Sequence, residues 1–249
     1  MDYFWYCYIF ILGSIIGSFL NVCICRIPKK ESIVVGRSHC PDCGHVLTFF
    51  EMLPIISYLF LGGKCKACKK HISFQYPLVE LLTALLYLAA VVRFGFTAKA
   101  ALCCVFFSVL IVAGGIDFNT MEIPDILHLW ILGLGILSIC LDPSRLAEHV
   151  IGLFVLSIPM LLLSLVTDGF GGGDIKLCGA CGLFLGFPCT LTGFLIACVI
   201  AAIWGLILLI AKKASAKTAF AFGPFLTLGF ILACLYGDVI VQSYLSLFS

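Results

Sequence analysis

Two aspartates and four cysteines stand in this chain where their side chains have chemistry available to them. Asp117 closes an apolar run in Gly114-Gly115-Ile116-Asp117, and Asp174 follows three glycines in Gly171-Gly172-Gly173-Asp174. An ionisable residue costs about 2.5–3.5 kcal/mol at the centre of a membrane helix on insertion scales, so one held at membrane depth is a functional hypothesis by default. Two carboxyls that meet in a poorly hydrated place cannot both ionise cheaply, and near neutrality they share one proton. The ionised member activates a water and the protonated one donates to a departing amine, which hydrolyses a peptide without a Ser or Cys nucleophile. The glycines before Asp174 let a substrate strand approach the backbone. A blander reading stays open. Asp125 and Asp174 each precede a helix, where an Asp is a good N-cap, and an ion pair with Lys176 is a further alternative. Asp168 reads as a turn residue.

The four cysteines form Cys40-Pro41-Asp42-Cys43 and, after twenty-one intervening residues, Cys65-Lys66-Ala67-Cys68. Two such pairs at this separation match a zinc ribbon, four thiolates around a tetrahedral ion. A reducing cytosol favours metal over disulfide. Four protein ligands leave no open coordination position, so the expected zinc is structural and folds a loop too short to build its own core. His39, His45 and His71 flank the cysteines and read as solvated neighbours. Most of the other cysteines sit singly in apolar runs as small hydrophobes.

The elements that must position these groups are membrane helices. Of 249 residues 62% are hydrophobic and 11% charged, against about 45–50% and 25% in soluble domains. The mean hydropathy is +1.18, which excludes a water-soluble globule, a disordered chain and a fibrous protein. Apolar runs near the ~20 residues needed to span a bilayer give about eight transmembrane helices. They fall at roughly 4–24, 77–92, 100–116, 125–141, 150–166, 175–188, 190–211 and 222–240. The sixth is short and glycine-rich, hence tilted, bilayer-thinning or partly re-entrant, and Pro159 is expected to kink the fifth. The stretch from Gly237 to Ser249 alternates weakly and is expected to lie along the outer interface. The first run lacks a basic n-region and a cleavage site, so it is expected to be retained as a helix.

Lys and Arg orient the chain. With the N-terminus outside, the cytoplasmic side holds Arg26, Lys29, Lys30, Arg37, Lys64, Lys66, Lys69, Lys70, Lys176, Lys212, Lys213 and Lys217. The outside holds only Arg93, Lys99 and Arg145. Both termini are then outside, and the cysteine loop, Asp117 and Asp174 lie on the cytoplasmic side. The fold class is all-α: a polytopic membrane protein with a small cytoplasmic zinc-ribbon-like loop domain.

On these residues the chain resembles the type IV prepilin peptidases, membrane aspartyl proteases of the GxGD type. The matching stretches, in order, are Gly17-Ser18-Phe19-Leu20-Asn21-Val22 through Arg26-Ile27-Pro28, the two cysteine pairs, Gly63-Lys64-Cys65 and Tyr76-Pro77-Leu78-Val79-Glu80-Leu81. They continue with Asp117 to Ile123-Pro124-Asp125, Gly171 through Leu177, and Phe222-Gly223-Pro224-Phe225. The resemblance implies three segments: a first transmembrane helix at 1–24, the cytoplasmic zinc-binding loop domain at 25–76, and a protease transmembrane core at 77–249. It implies that Asp117 and Asp174 are the catalytic pair and that Cys40, Cys43, Cys65 and Cys68 bind zinc. The implied substrates are prepilins and pilin-like proteins, cut after a glycine ahead of their hydrophobic helix at the inner face of the bacterial cytoplasmic membrane. The implied second activity methylates the new N-terminus from S-adenosylmethionine, a donor for which no Rossmann-type glycine motif is present. Glu80 is the first choice for that second site or for packing. The expected partners are substrate and membrane lipid, with no nucleic acid. Glu122, Asp125 and Asp168 are candidates to attract a basic leader. Two rival classes remain: an ion-coupled carrier using intramembrane aspartates, and a metal-sensing membrane protein resting on the cysteine loop.

Overall fold

The computed structural model describes residues 2–36, 38–40, 42–167, 171–211 and 221–247. Arg37, Asp168, Lys212, Lys213 and Lys217, used above, lie outside the described residues. The described residues form helices and no strand. They divide into two compact units, residues 1–112 and 113–249.

The first unit holds α1 (Asp2–Arg26), a single 3-10 turn at Phe49–Met52, α2 (Ile56–Phe60), α3 (Gln75–Phe94) and the start of α4 (Ala98–Thr120). Gly13 and Gly17, one turn apart, bring α1 against α3. A methyl on Gly13 would stand 2.7 Å from the Ala84 Cα, and one on Gly17 2.7 Å from the Glu80 Cα. Small residues at this spacing let membrane helices approach to backbone contact. One turn further, the Asn21 amide donates to the Tyr76 carbonyl at 3.0 Å. The Arg26 guanidinium donates to the carbonyls of Ser32, Val35 and Gly36 and shapes the start of the loop.

Glu80 is buried and accepts the Ile55 amide at 2.7 Å. Ile55 has φ +61 and ψ −49, with the Ile56 amide on the Pro54 carbonyl. That is a γ-turn of the strained hand, costly for a β-branched residue. The carboxylate holds it there, so of the two roles weighed for Glu80 the geometry supports packing.

The second unit takes in the end of α4, then α5 (Asp125–Leu141), α6 (Leu146–Val155), α7 (Ser157–Thr167), α8 (Gly172–Leu185), α9 (Phe187–Ile210) and α10 (Gly223–Leu245). The expected fifth span is two helices. The break falls at Leu156, because Pro159 has no amide for the Val155 carbonyl and its ring crowds that oxygen. The sixth span ends at Gly186 (φ +82), and Pro188 sits in the first turn of α9, where a missing amide costs nothing. Helix α10 runs through Gly237 to Leu245, so the expected interfacial tail is helix up to that residue. Six stretches of the described residues are long and apolar enough to cross a membrane, and α5 is a shorter apolar helix.

The short glycine-rich span is α8. Fourteen residues rise about 21 Å, less than the ~30 Å hydrocarbon core. Its apolar composition goes all the way round because protein surrounds it: Ile175 and every residue from Leu177 to Leu185 are buried. It packs on α5, α6, α7, α9 and α10. A methyl on Gly182 would lie 2.0 Å from the Gly152 carbonyl oxygen of α6, and the His149 Nδ1 donates to the Leu183 carbonyl at 2.8 Å. Gly182→Ala is therefore expected to force α6 and α8 apart, at a cost of about 1–3 kcal/mol. The thermal midpoint of the detergent-solubilised protein reads this. Gly133→Ala and Gly205→Ala, at glycines with nothing within 4 Å, should leave that midpoint in place.

Candidate functional site

In the cysteine loop the two pairs fold alike. The Cys40 carbonyl accepts the Gly44 amide and the Cys40 amide donates to the His45 carbonyl, both at 2.9 Å. In the second pair the Cys65 carbonyl accepts the Lys69 amide at 3.0 Å, and the Cys65 amide donates to the Lys70 carbonyl at 2.9 Å. Gly44 (φ +70) and Lys69 (φ +62) occupy the same left-handed position after each pair, which glycine adopts without strain and lysine does not. Lone bridges His39–Val46 and Lys64–His71 close the two turns, and Lys70 Nζ reaches Asp42 Oδ1 at 2.7 Å between them.

This fold converges the four sulfurs to within 4.8 Å of one another. Cys40 and Cys68 are 3.9 Å apart, and Cys43 and Cys65 4.0 Å. Four thiolates about 2.3 Å from a tetrahedral zinc stand about 3.8 Å from each other, so the set fits a metal such as zinc. The amides of Cys68 and Ala67 bring the Cys65 thiol down to about 6. The His45 amide favours a Cys43 thiolate, yet desolvation and the sulfurs of Cys40, Cys68 and Cys65 push that thiol up to about 11. Without a cation Cys43 keeps its proton beside the more acidic Cys65, and a divalent ion removes that need. His45 turns to Glu51 at 3.3 Å. The Thr48 amide and hydroxyl, at 2.7 and 2.9 Å, hold the Glu51 carboxyl well below the usual range, at about 2.

The second unit carries both aspartates. Asp117 lies one turn before the end of α4 and is 5% exposed. Its Oδ2 accepts the Gly223 amide at 2.9 Å. A methyl on Gly223 would stand 2.6 Å from that oxygen, which accounts for glycine between Phe222 and Pro224. Asp174 is the third residue of α8, whose N-cap is Gly171. Its carboxyl is close enough to Asp117 for the charge of one to act on the other. Gly171 and Gly172 are exposed, and nothing lies within 4 Å of where a Gly172 side chain would be, so open backbone leads up to Asp174.

Neither Asp174 nor Asp125 is an N-cap. Asp125 is the first residue of α5, capped by Pro124, and its Oδ1 meets Lys176 Nζ at 2.6 Å. The ion pair weighed for these acids thus belongs to Asp125. Glu122 is exposed. One participant was not anticipated: His128, 4% exposed, whose Nε2 donates to the Gly173 carbonyl at 3.1 Å. The signal for it was present, since a histidine inside an apolar run is as unusual as an aspartate there.

The sequence matches two family models: the bacterial peptidase A24 N-terminal domain over residues 11–94, and the type IV leader peptidase family over residues 104–206. Among curated proteins it is 37% identical over 243 residues to a prepilin leader peptidase/N-methyltransferase of Bacillus subtilis, covering 96% of this chain and 97% of that one. A protein of the same name from Pseudomonas aeruginosa is 35% identical over 266 residues, covering 94% and 91%. One from Aeromonas salmonicida is 32% identical over 280 residues, covering 99% and 96%. No solved structure matches the chain.

The sulfur geometry generates an expectation independent of catalysis. Protein purified without chelator should carry one divalent metal per chain by elemental analysis. Replacement with cobalt(II) should give the visible spectrum of a tetrahedral tetrathiolate. Cys40→Ser or Cys65→Ser should lose both signals, and a chelator should make residues 38–71 sensitive to protease.

Proposed function

Because the chain belongs to the type IV leader peptidase family, we propose that Asp117 and Asp174 are the acid–base pair with which it cuts its substrates. It is an integral membrane enzyme that removes the leader of prepilins and methylates the N-terminus so released. The single observation that carries the catalytic assignment is the approach of two carboxyls from separate helices within one unit, with open glycine backbone beside one of them.

In this reading a water lies between the carboxyls. The ionised member takes a proton from it as the oxygen attacks the scissile carbonyl, forming a tetrahedral intermediate. The protonated member gives its proton to the amide nitrogen as the C–N bond breaks, leaving a carboxylic acid and a free amine. The Gly223 amide fixes the orientation of the Asp117 carboxyl, which otherwise has several rotamers to choose from. The bond must be unwound before it is cut, since helical amides are already hydrogen-bonded. The exposed backbone at Gly171 and Gly172 offers an extended segment somewhere to lie. Charge distribution supports an N-terminus-out arrangement in the bacterial cytoplasmic membrane, which puts the pair at the inner face, where the leader of a prepilin ends and its membrane helix begins. The cut then falls after the glycine just ahead of that helix.

We assign zinc to the four cysteines as a structural ion that holds the loop between α1 and α3. Methyl transfer needs a donor, by resemblance S-adenosylmethionine, which supplies an electrophilic methyl group. The residues present do not form a recognisable cradle for it. There is no glycine-rich fingerprint, and Glu80, the buried acid of the first unit among the described residues, is engaged by Ile55.

Asp117→Asn and Asp174→Asn should each lower kcat for prepilin cleavage by at least about 10³-fold while the thermal midpoint stays within a few degrees of wild type. Gly223→Ala should act in the same direction by displacing the Asp117 carboxyl. Cleavage retained in either asparagine variant overturns the pair. Mass spectrometry of the processed substrate should show a new N-terminus directly after the glycine, one methylene heavier once the donor is supplied.

A further inference from the structure

A second polar thread ends beside Asp174 and takes no part in the chemistry just described. His128 lies one turn into α5 with its ring buried. Its Nε2 is 3.1 Å from the Gly173 carbonyl oxygen. A carbonyl can only accept, so Nε2 carries the hydrogen and the tautomer is set by this partner. The other nitrogen, Nδ1, is buried without a hydrogen-bond partner, and stands 3.5 Å from Asp125 Oδ1. That same oxygen holds Lys176 Nζ at 2.6 Å. Helix α5 therefore grips α8 on both sides of one residue. Through His128 it takes the carbonyl immediately before Asp174, and through Asp125 the side chain two positions after it.

The grip matters because the first turn of α8 has little else to hold it. Gly171, Gly172 and Gly173 bring no side chains; Gly173 lies close to Ile123, and the Gly171 position has within 4 Å just the Asp174 carboxylate of the same turn. The far end of the helix is tied by another buried imidazole, His149 on the Leu183 carbonyl. Packing along α8 sets its distance from its neighbours, whereas a hydrogen bond to a first-turn carbonyl sets the height and rotation of that turn. A carboxyl that must meet a water and a scissile bond loses rate steeply with displacement, about 10²-fold for 1 Å.

We propose that His128 is a positioning residue for Asp174: its Nε2–H holds the Gly173 carbonyl and thereby fixes the carboxyl next to it. The inference rests on the reading of Asp174 as catalytic. The test uses full-length protein in detergent with a prepilin substrate, comparing His128→Gln, His128→Asn and His128→Leu. The glutamine Nε2 reaches the place of the imidazole Nε2, whereas the asparagine amide, one methylene shorter, reaches only the Nδ1 position. His128→Gln should keep kcat within about threefold. His128→Asn and His128→Leu should lose about 10–100-fold in kcat at unchanged KM. Hydrogen–deuterium exchange of the amides at 174–178 should quicken in the asparagine and leucine variants and stay at the wild-type rate in the glutamine variant. The proposal is overturned if leucine retains kcat, if glutamine fails as badly as leucine, or if the loss falls on KM. Should the wild-type protein cut no prepilin, the function proposed above fails, and exchange alone decides whether His128 holds the turn. Should Asp174→Asn remain active, the pair fails and the catalytic half of this proposal falls with it.

Discussion

A polar group inside a bilayer has no water to turn to, so each one must find its partner within the protein. Much of the architecture here is a set of solutions to that constraint. Asn21 reaches across α1 and α3 to the Tyr76 carbonyl, and Glu80 takes the amide of a strained Ile55. Asp117 takes the Gly223 amide, while His128 and His149 tie the two ends of α8. In each case a side chain meets a backbone group. Backbone partners are held by the fold itself, and a neutral amide or carbonyl leaves a carboxylate free to keep or lose its proton as the reaction requires. A permanent cation beside Asp117 or Asp174 would remove that freedom. Lys176, two positions after Asp174, is occupied by Asp125.

Close packing is the counterpart of this economy. Lipid tails are as apolar as leucine, so membrane helices associate by fitting closely rather than by escaping water. Gly13 and Gly17 do this for α1 on α3, Gly152 and Gly182 for α6 on α8, and Gly193 and Gly229 for α9 on α10. The last two pairs bring backbone against backbone, where no methyl has room. Their effect is to fix α8 and α10, the helices whose first turns carry Asp174 and Gly223. A helix too short to span the bilayer can then exist at all, since protein covers it from Leu177 to Leu185.

The fold class was legible because hydrophobic runs of bilayer length carry an unambiguous signal, and the four cysteines because spacing alone specifies a tetrahedral set. Less legible was anything that depends on which protein surface covers a helix. Gly186 and Pro188 lie two residues apart, and composition alone lets either end a span. The structure uses the glycine as a stop and the proline as a start. The capping role weighed for Asp125 and Asp174 fails on a one- to three-residue shift in helix start, finer than pattern reading resolves. A lone histidine in an apolar run, as at His128, marks a polar group at membrane depth without naming its partner, which lies 45 residues on at Gly173. Pairing Gly223 with Asp117, 106 residues apart in sequence, had no local signature: glycine before proline at a helix start is ordinary.

The two halves of the chemistry ask for different kinds of rigidity, and the chain supplies them differently. A closed four-thiolate site has no position for substrate, so a metal held there would act through the chain that it ties, here a loop with few buried side chains of its own. Proteolysis needs a carboxyl placed to a fraction of an ångström beside a segment that must admit an extended peptide. Side chains on Gly171 to Gly173 would steady that turn and block it. Leaving it bare and holding it from behind, by the Gly173 carbonyl and the Lys176 side chain, keeps the front open. With Asp174 in the proposed catalytic role, the demand for access explains why the residue that holds its turn comes from another helix, and why it binds backbone rather than the carboxyl itself.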